Sequence, residues 1–388
     1  MSRVRLGSEV LLDGDLLKGK RVGLVSNPAS IDASFRHVAD RLLETDGIRL
    51  AALFGPQHGF NADVQDNMIE TGHATDRWRK VPVYSLYSET REPTAEMLRD
   101  LDVLVVDLQD VGARIYTFVY TMANCLRVAR KMGLPVIVCD RPNPTGGTEV
   151  EGEVLLEGWE SFVGQFPIPM RHGMTIGELA RLFNEHHGIG ADLTVVPMEG
   201  WRREMYWDET LLPWVMPSPN MPTLDTAIVY PGGVLFEGTN LSEGRGTTRP
   251  FELLGAPWLD AVALCRSLNS LCLGGVYFRP VSFEPTFHKH ARQTCGGCQI
   301  HVTDRTAFRP VLAGVAVMRE MYAQDPEHFG WRQPPYEYEY EKLAIDILAG
   351  SDALRRQIES GTPATEIARS WEDRLAAFSA TRERFLLY

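Results

Sequence analysis

No stretch of this chain holds the ~20 uninterrupted apolar residues that a membrane span requires. The N-terminal MSRVRLGSEVLLDG lacks an apolar segment followed by a small-residue cleavage site, so neither a secretory leader nor a membrane partner is expected. Positive charge is short as well: 39 Lys and Arg face 51 Asp and Glu, a formal net charge of -12. That surplus disfavours non-specific binding to nucleic acid. Cysteine is sparse, at positions 125, 139, 265, 272, 295 and 298 of 388 residues. In a chain this long such thiols read as reduced, which implies a cytoplasmic protein without a disulfide framework. Internal repeats and low-complexity segments are missing too.

Several cofactor and nucleophile motifs are also absent. No G-x-G-x-x-G follows an apolar run, so no dinucleotide cofactor is expected. There is no G-x-S-x-G elbow. Gly14 to Arg21 (GDLLKGKR) approaches a P-loop but ends in Arg and precedes a strand instead of following one. Cys295-Gly-Gly-Cys298, with His288, His290 and His301 nearby, has zinc-like spacing. A hairpin turn at Gly-Gly explains the same residues and no second CxxC exists, so no metal is expected.

What is present is a series of short β-branched runs. They are Arg21–Ser26, Leu50–Phe54, Val81–Leu86, Asp102–Asp107, Pro135–Cys139 and Leu193–Pro197. Amphipathic stretches lie between several of them, and Thr175-Ile-Gly-Glu178 is a capping box opening a helix. This alternation predicts an α/β fold with a parallel sheet covered on both faces. Ligands bind such sheets beyond the carboxyl ends of the strands. Polar residues follow five successive runs there: Asn27, Gln57-His58, Tyr87-Ser88-Glu89, Gln109-Asp110 and Asp140-Arg141-Pro142-Asn143. They are expected to gather on one rim. In the second half, Glu237–Arg249 (EGTNLSEGRGTTR) is too polar for an interior, yet apolar residues flank it on both sides, as a functional loop requires.

Taken together, VGLVSNPAS, LFGPQHGF, DVLVVDLQDVGARIYTF, DRPNPTGG, PIPMRHGMTIGELA, PSPNMPT and FEGTNLSEGRGTTRPFE resemble the NamZ-type exo-β-N-acetylmuramidases nearly end to end. The resemblance implies a Rossmann-like, doubly wound, mostly parallel N-terminal domain (1–200) without nucleotide. It also implies a smaller α/β C-terminal domain (201–388) whose loop 237–249 faces an interdomain cleft. The activity implied is release of N-acetylmuramic acid from the non-reducing end of peptidoglycan fragments, with muramyl sugars as partners and no cofactor.

One departure stands out. The family pattern G-P-E-H-G reads here as Gly-Pro-Gln57-His58-Gly. An amide holds a sugar hydroxyl but cannot transfer a proton, whereas glycoside hydrolysis calls for a carboxylic acid. Glu70 is the expected replacement, with Asp66 close by and Glu243 or Glu237 as the second carboxylate. A shifted amino-sugar specificity, or binding without turnover, are the alternatives that Gln57 raises. Arg114 and Arg245 are candidates for the lactyl carboxylate. Asn27, Asp110, Asp140, Asn143, Asn220 and Asn240 are candidates for hydroxyls and the acetamide. Tyr116 offers either a stacking face or a core ring. His58 and His172 are candidates to orient a carboxylate or bind substrate.

Overall fold

The computed structural model describes residues 3–66 and 68–388. Among the described residues twelve strands form three sheets. In chain order they are β1 (Arg21–Ser26), β2 (Arg49–Gly55), β3 (Ala74–Thr75), β4 (Pro82–Ser85), β5 (Val103–Asp107) and β6 (Val136–Cys139). There follow β7 (Glu151–Val154), β8 (Pro169–Arg171), β9 (Leu193–Val196), β10 (Leu253–Ala256), β11 (Val276–Phe283) and β12 (Cys295–Val302).

The seven-stranded sheet has the order β3-β4-β2-β1-β5-β6-β9. Its pairs are parallel except β3 with β4. The chain therefore winds outward from β1 in both directions, the doubly wound arrangement. All five residues of β5 are buried, because helices cover both faces and leave no polar side to the strand. The predicted capping box at Thr175 is present, with Glu178 reaching back to the Thr175 backbone and a helix over Ile176–Arg181.

The second sheet is antiparallel, in the order β10-β12-β11. Here the sequence expectation of a Gly-Gly turn fails. Gly296 and Gly297 lie inside β12, paired with Ala256 and Gly255 on one side and Ser282 and Val281 on the other. A Cβ on Gly297 would stand 2.0 Å from the Leu254 carbonyl oxygen. Glycine is needed there for close approach of strands, not for a turn. Among the described residues no group of three His, Cys, Asp or Glu is placed to hold a metal, and no helix is long and apolar enough to cross a membrane.

One core cluster joins the two halves, running from Val25 and Phe54 through Phe236 and Ile345 to Phe385. Arg114 is buried at this junction and donates to the carbonyls of Glu153, Ile168 and Leu348. At the sheet's carboxyl rim Arg141 donates to both oxygens of Asp107, at 2.7 and 2.9 Å, and to the Ile31 carbonyl at 3.1 Å. Both members are buried, so losing one leaves an uncompensated charge in the interior. Asp107→Asn is expected to lower unfolding stability by about 3 kcal/mol or more, read as a shift in urea midpoint at unchanged slope.

Candidate active site

The β2 strand ends at Gly55, and the chain turns through Pro56-Gln57-His58-Gly59. His58 sits in the left-handed region at φ 72, a conformation non-glycine residues adopt mainly where surrounding structure enforces it. Its Nδ1 donates to the Val64 carbonyl at 2.8 Å. Burial lowers the His58 pKa to about 4, so at neutral pH Nε2 is left as an acceptor. Gln57 beside it is buried. Its Oε1 accepts from the Thr117 hydroxyl at 2.8 Å, and its Nε2 donates to Glu337 Oε1 at 3.0 Å.

Glu337 arrives from the opposite half of the chain, in the segment Pro334–Tyr340 (PPYEYEY). Glu337 and Tyr338 both carry positive φ, 45 and 68, and this strained pair turns the carboxyl inward. The side chain is only 3% exposed, and Tyr87, just past β4, donates to its Oε2 at 2.9 Å. Burial pushes Glu337 up to about 7. The Tyr87 and Gln57 donors pull the other way, and nearby Glu237 adds to the rise.

Glu237 is the second carboxyl. It sits on the one-turn helix Val234–Gly238, accepting from the Tyr336 hydroxyl at 2.7 Å and from Arg245 Nη2 at 2.6 Å. Behind it, Glu243 is fully buried. Lys289 Nζ lies 2.8 Å from it, His288 Nδ1 3.2 Å and Arg245 Nε 3.4 Å. Burial alone would raise the Glu243 pKa, but Lys289, His288 and Arg245 hold it well below the usual carboxylate range. Lys289 also donates to the Phe236 and Leu241 carbonyls. It thereby ties down the helical turn that carries Glu237.

Gln57, His58, Thr117, Glu237, Arg245, Tyr336 and Glu337 line one narrow cleft. Aromatic walls come from Tyr116, Phe118, Tyr230 and Phe251, with Ser218 and Asn220 as further polar contacts. Tyr116 and Phe118 meet edge to face at 4.7 Å, as do Tyr230 and Phe251 at 4.8 Å. A half-apolar pocket with a few convergent polar groups is the usual form of a sugar or small-molecule site.

Comparison with known proteins fixes the kinship. The N-terminal domain model of the exo-beta-N-acetylmuramidase NamZ matches residues 22–225, and the C-terminal one residues 228–388. The chain belongs to the NamZ family. It is 48% identical over 388 residues to the peptidoglycan beta-N-acetylmuramidase NamZ of Bacillus subtilis (strain 168), covering 100% of this chain and 92% of that protein. Crystal structures of two DUF1343 family proteins from Bacteroides fragilis NCTC 9343 superpose with TM-scores of 0.89 and 0.78. Their identities are 35% and 28%, over 100% of this chain and 99% of each of theirs. As a NamZ member the chain is a glycoside hydrolase.

Of the residues expected from sequence, the NamZ fold brings Gln57, His58, Tyr116, Asn220, Glu237 and Arg245 to the cleft wall. Glu243 stands one layer behind. Glu70 lines a separate groove, where it pairs with Arg91 at 2.8 Å and meets the Tyr338 hydroxyl at 3.3 Å. Asp66 is exposed and accepts from the Met68 N–H.

The remaining expected residues are engaged elsewhere. Asn27 bonds to the Gln109 carbonyl and Ser30. Asp110 accepts from the Gly112 N–H, with His172 Nε2 3.3 Å away. Asp140, raised to about 7 by burial and by Glu178, accepts from Thr175, Gly177 and Tyr388. Asn143 donates to the Met174 carbonyl. Asn240 locks to His328 and Gly330, and Arg114 is held by carbonyls at the junction of the halves.

Sequence reasoning passed over Glu337, Tyr336, Thr117 and Lys289. The alternating Tyr and Glu after two prolines in PPYEYEY was the available signal.

Because the folded pKa of Glu337 lies above its ordinary 4.5, at about 7, the native state holds a proton that the unfolded chain has lost. The corresponding stability is fully present below pH 4.5 and disappears as pH rises through 7. Glu337→Gln is therefore expected to flatten the pH dependence of unfolding stability across that window. The difference from wild type should be on the order of 3 kcal/mol, at ~1.4 kcal/mol per pKa unit over the rise from 4.5 to about 7. Denaturant titrations at a series of pH values read it directly.

Proposed function

We propose that this chain is an exo-acting β-N-acetylmuramidase that removes N-acetylmuramic acid from the non-reducing end of peptidoglycan fragments in cell-wall turnover and recycling. Glu337 is its general acid. The observation carrying this reading is the pair of carboxyls at one aromatic cleft with unlike surroundings. Glu237 is ion-paired to Arg245, while Glu337 meets neutral donors and keeps a proton to about pH 7. Environments that separate two carboxyls in this way suit one as acid and the other as a charged partner.

Each Glu337 oxygen accepts one hydrogen bond from Gln57 or Tyr87 and retains a second lone-pair direction. A proton held there is donated to the glycosidic oxygen as the bond to the anomeric carbon breaks, and water adds to that carbon, its released proton restoring the acid. Glu237 faces the positive charge that develops on the sugar ring. Tyr336 and Arg245 hold its carboxylate in place, and Glu243 with Lys289 holds Arg245 and the supporting turn. The neutral His58 Nε2 accepts from a sugar hydroxyl. The exo mode is supported by the match of exo-beta-N-acetylmuramidase domain models across the chain. On this reading Glu70 and Glu243 are not the proton donors.

A second reading, a related amino-sugar specificity, also has an observation in its favour. Arg245 is the one guanidinium or ammonium lining the cleft among the described residues, and it is already paired with Glu237 and Glu243. A lactyl carboxylate then gains less from it than from an uncommitted arginine. Product analysis on an N-acetylmuramyl-N-acetylglucosamine disaccharide, beside chromogenic muraminides and glucosaminides, separates the two. Free N-acetylmuramic acid is the expected product, and turnover of glucosaminides alone selects the second reading. Glu337→Gln is expected to lower kcat by about 10²–10⁴-fold and Glu70→Gln by less than about tenfold. The reverse order would move the acid to Glu70.

A further inference from the structure

We propose that Gln57 is a positioning residue, whose amide, held by Thr117, aims the Glu337 carboxyl and leaves that carboxyl to titrate alone. This rests on the reading of Glu337 as the acid. The two ends of a glutamine side chain are not equivalent, since Oε1 only accepts and Nε2 only donates. The Thr117 hydroxyl donates to Oε1 at 2.8 Å, which places Nε2 against Glu337 Oε1 at 3.0 Å. Reversing the amide would set its Oε1 against the Glu337 carboxylate, two acceptors face to face, so the ionised carboxyl fixes which end points at it while the Thr117 hydroxyl secures the other end.

Thr117 itself shows that the arrangement is built. It immediately precedes the 15-residue helix Phe118–Met132, the position where threonine ordinarily caps the first turn. Its backbone is instead helical (φ -66, ψ -9) and its side chain makes no cap bond. The hydroxyl goes to Gln57. The Gln57 backbone is pinned between Pro56 and the left-handed His58, so the amide has little freedom to turn away.

A carboxylate in place of this amide would stand about 3 Å from a second carboxylate, and the two would share one proton. The amide supplies the same donor without adding a titrating group. The other groups around Glu337 are Tyr87 past β4, Glu237 and Arg245 from the second half, Tyr336 on its own segment, and His58 next to Gln57. None of them is altered by a substitution at position 57.

The test is the pH profile of kcat/KM on a chromogenic muraminide for wild type, Gln57→Glu, Gln57→Leu, Thr117→Val and Glu337→Gln, with melting temperature as the folding control. In Gln57→Glu the alkaline limb is expected to move up by about one pH unit or more, because a like charge keeps the acid protonated. In Gln57→Leu it moves up as well, because ionised Glu337 loses a donor, and kcat falls about 10²-fold with KM nearly unchanged. Thr117→Val falls between that variant and wild type. Folded Gln57 variants whose alkaline limb coincides with wild type, while Glu337→Gln is inactive, overturn the positioning role and leave the acid assignment standing. A fully active Glu337→Gln overturns both. Should Gln57→Leu fail to fold, the nearly isosteric Gln57→Glu alone decides.

Discussion

A carboxyl group shut away from water is costly to ionise unless donors meet it, and the donors that meet Glu337 come from elsewhere in the fold. Gln57 stands at the end of β2 and Tyr87 past β4, while Glu337 is 280 positions from Gln57 in the chain. The contact therefore exists only when the parallel sheet and the C-terminal segment are docked. The same docking buries a continuous apolar core and closes the Arg114 bonds to carbonyls on both sides of the junction. Fold stability and cleft geometry thus draw on one interface.

The cleft divides its charges into two kinds. On one side Glu237, Arg245, Glu243 and Lys289 form a chain of paired ions, each partner offsetting the burial of the next. On the other side Glu337 meets only neutral donors among its hydrogen-bond partners Gln57 and Tyr87. Burial without a cation raises proton affinity, and burial with cations lowers it. Glu243 and Glu337 are thereby given opposite proton preferences.

The parallel sheet was legible in the sequence because its strands are short β-branched runs set between helical patterns, and the structure places all six runs in one sheet. The expectation that polar strand ends matter was also useful, since it brought Gln57 and His58 forward. It did not separate them from Asn27, Asp140 or Asn143. Those residues follow strands equally, yet the structure engages them in tying loops to neighbouring carbonyls, hydroxyls and N–H groups. An amide beyond a strand has the same sequence appearance whether it locks a loop or lines a cleft. Arg114 is a similar case: its guanidinium suits a carboxylate, but the fold surrounds it with carbonyl oxygens.

By itself the chain's pattern determined the α/β class, the six strand runs of the large sheet, and the kinship with NamZ proteins, because periodicity, capping and long ordered motifs are local properties. Glu337 opposite Gln57, and the retreat of Glu243 behind Arg245, were settled only by tertiary structure. So was the use of Gly296-Gly297 as close strand packing and not as a turn. The reason is physical: proton affinity and partner choice depend on burial and on groups distant in sequence, and neither is a property of a residue and its neighbours along the chain.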